Sequence, residues 1–338
     1  MKLLSLCAFI IAGSWLSLFS ASVTQAKDGP IAEKPSVVEE FSPGVIRSTW
    51  TFKRVGDLDI QADVYRPDDE ELRPVVIWVH GGALIAGNRV KPKERVREPL
   101  LKAGYVIVSI DYRLAPETKL PAILEDLEDA YAWVHRWGQK LFHGKTDRLI
   151  VMGGSAGGYM TFAAGFRVTP RPTALVAFWG YGDLTGNWYS QPSEHYLKQD
   201  LVSREKAYVG VSGPELTDGG IRRRDRGNFY LYCRQQGLWP IEVTGFDPKT
   251  QDEAYDSFSP VRNVTRDYPP TLMVHGTEDN DVPYEQSVLM AEQFKKHGVW
   301  HRLITIPNAG HGIGDGEPEL VDNAYNEVIA FVKKHLPQ

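Results

Sequence analysis

Short apolar runs separated by amphipathic stretches organise the chain from about residue 45 onward. Two β-like runs come first, at 45–54 and 58–66, and Gly56 with Asp57 between them predicts a hairpin. The runs at 74–79, 105–110, 149–152, 174–179 and 271–274 follow, each apolar almost throughout and mostly rich in Val or Ile. Strands of that kind present no polar face to water, so they predict parallel strands covered on both sides. Between them, residues 121–137 carry Ile123, Leu124, Leu127, Ala130, Tyr131 and Val134 at three- and four-residue spacing. That spacing gathers them on one helix face and leaves Glu125, Glu128 and Asp129 outside. Residues 284–297 and 317–335 behave similarly. Alternating strands and helices predict an α/β fold with a mostly parallel sheet, helices on both faces and the hairpin as an antiparallel edge.

Two segments depart from this rhythm. Residues 183–258 are rich in aromatics, glycine and proline and hold no clean buried strand. We read them as a lobe inserted above the C-terminal strand edges, where α/β proteins bind ligands. Its aromatic stretch, 228–240, is read as core of the lobe, with Cys233 buried as a small apolar residue. Residues 27–44 are polar, hold three prolines and are expected to be a loose leader before a domain at 45–338.

The first 26 residues read as an export signal. Lys2 precedes an apolar run to Phe19, and Thr24, Gln25 and Ala26 form a cleavage site. That run is short for a membrane span, and no second run of spanning length follows. The mature chain is expected to be secreted or periplasmic, without a membrane span. It keeps one cysteine, Cys233, which excludes an intramolecular disulfide and a cysteine-based metal site. Losing Lys2 and no acid takes the formal charge from -5 to -6, a poor balance for nucleic-acid binding. Against it stands one basic run, Arg222, Arg223, Arg224 and Arg226, read as a solvated loop.

The candidate chemistry centres on Gly153, Gly154, Ser155, Ala156, Gly157 and Gly158, after a strand-like run and before the helix-like 159–168. A sharp strand-to-helix turn lifts a serine out of the sheet, and flanking glycines remove the Cβ atoms that would clash. Serine needs a base. His311, between Gly310 and Gly312 and after the strand-like 302–306, is the candidate. The base needs an acid, and 275–283 offers Glu278, Asp279 and Asp281 in the chain order Ser, acid, His. His80, Gly81, Gly82 and Ala83 end a strand. The N–H groups of Gly82, Ala83 and Ala156 are candidate donors to an oxyanion. The charged stretch 111–117 is read as a loop braced by local ion pairs that supports the oxyanion strand.

These stretches together resemble the esterase/lipase group of α/β-hydrolases, near its hormone-sensitive-lipase-like and feruloyl-esterase-like branches. The resemblance spans about 75–315 and implies an α/β-hydrolase fold with an inserted cap lobe. It also implies a Ser155, Asp279, His311 triad, with Asp279 chosen over Asp281, and neither metal nor cofactor. Ala83 departs from it, standing where the lipase-like branch often has a third glycine, and the lobe matches no assigned cap. The expected activity is cleavage of small-molecule or carbohydrate esters through an acyl-enzyme, with acetyl or feruloyl esters of polysaccharides as candidates. Two alternatives stand beside it. One is a peptidase like the prolyl-oligopeptidase catalytic domain, although too few residues precede the hydrolase strands for a propeller. The other is an inactive binding protein on the same fold.

Overall fold

The computed structural model describes residues 31–90, 92–221 and 226–338, apart from the side chain of Arg226. The export segment at 1–26 lies outside them, as does the arginine run except for the backbone of Arg226. The described residues build a nine-stranded sheet. Its strands are β1 (Val37–Ser42), β2 (Val45–Val55), β3 (Leu58–Pro67), β4 (Arg73–Val79), β5 (Val106–Ile110), β6 (Gly144–Gly154), β7 (Ala174–Phe178), β8 (Thr271–Gly276) and β9 (His301–Ile306). They lie in the order β1-β2-β3-β5-β4-β6-β7-β8-β9. β1, β2, β3 and β5 pair antiparallel, and every pairing from β5 through β9 is parallel.

Side-chain alternation divides each central strand between two cores. Val75, Ile77 and Val79 face one side, packed with residues of α2 (Leu120–Phe142), α3 (Ala156–Arg167) and α9 (Glu285–His297). Val76 and Trp78 face the other, against α1 (Glu94–Lys102) and α10 (Pro318–His335). Both faces are dry, which is why these strands could be uniformly apolar.

Three elements differ from expectation. The leader expected over 27–44 contains β1, which pairs Val37 with Thr49 and Glu40 with Ile46. It is an edge strand whose first four residues are exposed, so it carries no burial pattern, and its prolines flank it without interrupting it. α1 was not anticipated because Pro99 lies inside it. α2 runs on to Phe142, past the expected end at Trp137, because the end of its apolar face at Phe142 is buried.

Between β7 and β8 the described residues form five short α-helices: α4 (Asn187–Ser190), α5 (Glu194–Leu197), α6 (Arg204–Tyr208), α7 (Arg226–Gln236) and α8 (Trp239–Thr244). Their buried residues Tyr189, Phe229, Cys233 and Trp239 are continuous with the core under α2 and α3. The aromatics are therefore core, as read, but the lobe has no core of its own. It is held to the loops at the C-terminal strand ends, where Trp239 bonds the Ala83 carbonyl and Arg234 bonds Asp281, and Trp239 stacks on Tyr189 at 4.0 Å. Among the described residues no helix is long and apolar enough to cross a membrane.

Candidate active site

Ser155 is the one residue between the end of β6 at Gly154 and the start of α3 at Ala156. Its φ of 57° and ψ of -122° lie where residues with a Cβ are strained. The bend is fixed by close packing against the end of β4. A Cβ on Gly157 would sit 2.1 Å from the Val79 carbonyl oxygen, and one on Gly153 would sit 2.5 Å from the same atom. Only glycine permits that approach. The Ser155 N–H donates to the Phe178 carbonyl at 2.9 Å, tying the elbow to β7.

Asp279 and His311 come from the loops after β8 and β9. Those loops are joined by backbone bonds from Thr277 N–H to Ile306 and from Glu278 N–H to Ala309. His311 Nδ1 lies 2.7 Å from Asp279 Oδ2, and His311 Nε2 lies 3.1 Å from Ser155 Oγ. The carboxylate assigns the ring proton to Nδ1, which leaves Nε2 as acceptor for the serine hydroxyl. The three sequence candidates are thus brought into one hydrogen-bonded line.

Asp279 is almost fully hydrogen-bonded. Its Oδ1 accepts the N–H groups of Asp281 and Val282, each at 2.9 Å. Its Oδ2 faces both His311 and a second histidine, His275, whose Nε2 is 3.2 Å away. Burial alone would raise the Asp279 carboxyl. The hydrogen bonds from His275 and His311, the His311 charge and the Val282 N–H outweigh it and hold the group well below the usual carboxylate range. His275 Nε2 also points at the Val282 carbonyl at 2.9 Å, so it carries a proton, while Ser287 faces Nδ1 at 2.8 Å. In the sequence His275 is simply a histidine at the end of a strand-like run. Nothing local reveals its part, since the contacts run to residues brought near by the loop after β8.

Burial also disfavours the charged form of His311. The Asp279 hydrogen bond and the charges of Asp281 and Asp279 overcome that penalty, and its pKa rises above the ordinary 6.5. Trp179, just past β7, meets the His311 ring edge-on with centroids 6.2 Å apart.

The oxyanion turn adopts left-handed backbone at Gly82, Ala83 and Leu84, with φ of 116°, 55° and 61°. A Cβ on Gly82 would fall 2.1 Å from the Ala86 carbonyl oxygen, so glycine is required there. Among the described residues the N–H groups of Gly82 and Ala83 meet no backbone acceptor. Ala83 occupies a conformation that suits the expected third glycine, and the turn is pinned around it. Trp239 Nε1 donates to the Ala83 carbonyl at 3.0 Å, and Ala115 N–H to the Leu84 carbonyl at 2.8 Å. The 111–117 loop supports the end of the strand and also the turn beyond it, by longer reach than the expected local ion pairs. Asp111 pairs with Arg89, Arg113 makes a two-pronged bond to Asp126 of α2, and Tyr112 donates to the His80 carbonyl. Among the described residues no group of three or more His, Cys, Asp or Glu side chains could hold a metal ion.

The BD-FAE family profile matches residues 62–202, and that of the prolyl oligopeptidase family matches residues 229–338. Esterase LipC of Mycobacterium tuberculosis is 30% identical over 268 residues, covering 78% of this chain and 58% of LipC. These matches support an α/β-hydrolase family of the esterase type. Solved structures share the fold. A truncated carbohydrate esterase from gut microbiota has a TM-score of 0.58 at 19% identity, covering 91% of this α/β-hydrolase and 99% of that chain. An acetyl ester-xyloside bifunctional hydrolase from Caldicellulosiruptor lactoaceticus has a TM-score of 0.59 at 20% identity, covering 82% and 88%. A non-reducing polyketide synthase, prhL of Penicillium brasilianum, is 25% identical over 349 residues. That match covers 87% of this α/β-hydrolase and 14% of the synthase. The curated relatives are therefore longer proteins, of which the chain spans a part.

Proposed function

We propose that this α/β-hydrolase cleaves carboxylic esters through an acyl-enzyme on Ser155. The observation that carries the reading is the unbroken line from Asp279 through His311 to Ser155 at hydrogen-bond distances. In the first step Ser155 Oγ attacks the ester carbonyl while its proton passes to His311 Nε2. Asp279 holds the ring and stabilises the imidazolium that forms. Negative charge develops on the former carbonyl oxygen and is met by N–H groups of Gly82, Ala83 and Ala156, the last at the start of α3. The tetrahedral species expels the alcohol, which takes the proton from Nε2. Water then attacks the acyl carbon while losing a proton to the same nitrogen, and the acid leaves as that proton returns to Ser155 Oγ.

This order predicts a pH dependence. His311 must be neutral to accept a proton, and its folded pKa is raised. We expect kcat/KM for p-nitrophenyl acetate to rise with pH through a midpoint above 6.5 and then level off. A midpoint at or below 6.5 would contradict the charge balance around His311.

Acetyl or feruloyl esters of polysaccharides are the proposed substrates. Support comes from the carbohydrate esterase and the acetyl ester-xyloside hydrolase among proteins of the same fold. Export ahead of Lys27 is proposed from the apolar N-terminal segment. One experiment tests nucleophile and export together. Cells producing the full chain are treated with a fluorophosphonate probe, fractionated, and the adduct is located by mass spectrometry. We expect it on Ser155, in a chain beginning at Lys27 outside the cytoplasm. No label on Ser155 defeats the mechanism and favours an inactive binding protein, and an uncleaved cytoplasmic chain defeats export. A second reading, cleavage of peptide amides, is favoured by the prolyl oligopeptidase match over 229–338. Turnover of a prolyl amide without turnover of acetyl, butyryl or feruloyl esters would establish it in place of the first.

A further inference from the structure

Asp281 is the acid passed over in favour of Asp279, and it occupies the other side of the base. Its Oδ2 lies 3.6 Å from His311 Nε2, the nitrogen that also faces Ser155. It is therefore a carboxylate at the reaction centre that belongs to neither the nucleophile nor the orienting acid.

How it is held defines what it can do. Tyr196 and Tyr230, both from the lobe, donate their hydroxyls to Oδ1. Arg234 of α7 donates Nη1 to the same oxygen at 2.8 Å and to the Asp281 carbonyl at 2.9 Å. The Arg234 side chain is 2% exposed, and its guanidinium stands 4.8 Å from the ring centres of both Tyr189 and Tyr196. One oxygen thus takes three donors. Among the described residues Oδ2 takes none, and the side chain remains 22% exposed. Arg234 offsets only part of the carboxylate's charge, and the remainder is felt by His311 beside it. Oδ2 is thereby held as a rigid, partly exposed acceptor, which suits a hydroxyl donor.

The mechanism says which part of the ester meets it. His311 Nε2 returns its proton to the leaving alcohol, so the alcohol moiety must lie against that nitrogen and beside Asp281. We infer that Asp281 Oδ2 accepts a hydrogen bond from a hydroxyl of the alcohol moiety, neighbouring the ester oxygen, and so selects esters of polyols and sugars. The inference rests on the ester-hydrolase reading and adds to it a residue that reads the alcohol.

Ethyl acetate and 2-hydroxyethyl acetate differ by one hydroxyl at that position and make the test. The wild-type ratio of kcat/KM is expected to favour the hydroxylated ester by about tenfold or more, the usual worth of a hydrogen bond to a charged group. Asp281→Asn keeps an oxygen for the three donors and can turn an NH2 toward the substrate in place of Oδ2. The ratio should then fall to within about twofold of one. Should that variant fail to fold, Tyr230→Phe loosens the clamp on Oδ1 and is expected to lower the ratio several-fold. A wild-type ratio near one overturns the inference, as does a ratio that the folded variants leave unchanged. Equal turnover of both esters defeats Asp281 alone. Absence of turnover on both, and on p-nitrophenyl acetate, defeats the ester-hydrolase reading and the inference with it.

Discussion

Replacing Ser155 with alanine is expected to lower kcat for p-nitrophenyl acetate by about 10⁵- to 10⁶-fold while leaving the melting temperature within a few degrees of wild type. The size follows from covalency. Without Oγ the acyl-enzyme cannot form, and the neighbouring residues act as one unit with the nucleophile, so they retain only what the oxyanion donors and binding provide. The small stability effect follows from the local contacts. Among the described residues the Ser155 hydroxyl bonds only His311, and the elbow is held by the backbone bond to Phe178 and by glycine packing against Val79. Alanine has the same Cβ and tolerates the same strained φ to a similar degree. Purified variant and wild type, compared by initial rates and by thermal unfolding, check both halves. Activity within a hundredfold of wild type would mean that another group attacks the ester.

Asp279→Asn should cost about 10⁴-fold in kcat, through the wrong tautomer of the base. Asparagine can keep an oxygen for the N–H groups of Asp281 and Val282, which receive Oδ1 in the wild type. Its NH2 then faces His275 and His311, where two imidazole N–H groups now point. His275 retains its bond to the Val282 carbonyl and has no reason to change. Among the described residues His311 has no other acceptor at Nδ1, so that nitrogen must give up its proton and accept from the amide. Nε2 then carries the proton and can no longer take one from Ser155. Single-turnover acylation by p-nitrophenyl acetate isolates this step. A loss of tenfold or less would show that the histidine keeps its tautomer without the carboxylate. Asp281 could not supply that rescue from its present place, since its free oxygen faces Nε2.

The sheet was legible because its signal is local. Strands buried on both faces must be apolar throughout, and the runs at β4, β5, β6, β7 and β8 could be read directly. The elbow was legible for a related reason: close approach to the Val79 carbonyl demands glycine at 153 and 157, and glycine is visible as a letter. Edge strand β1 was not, since pairing with β2 holds it without burying it, and α1 was hidden by Pro99.

At the site the division is sharper. Ser155, His311 and a choice among three acids followed from glycine turns at strand ends and from chain order. The residues themselves left Asp279 and Asp281 open, and family resemblance chose between them. Tertiary structure assigns the two to opposite nitrogens of one imidazole: Asp279 bonds Nδ1 while Asp281 stands beside Nε2. That difference depends on contacts from Asp281 to Tyr196, Tyr230 and Arg234, which are 85, 51 and 47 residues away in the chain. His275 and Trp239 are similar cases, each ordinary in its own stretch and placed by packing against the acid and the oxyanion turn. Backbone geometry that only certain residues can adopt is written into the sequence near the residue itself. Hydrogen-bond partnership between distant side chains is not, because it exists only once the lobe packs on the loops at the strand ends and removes the alternative of water.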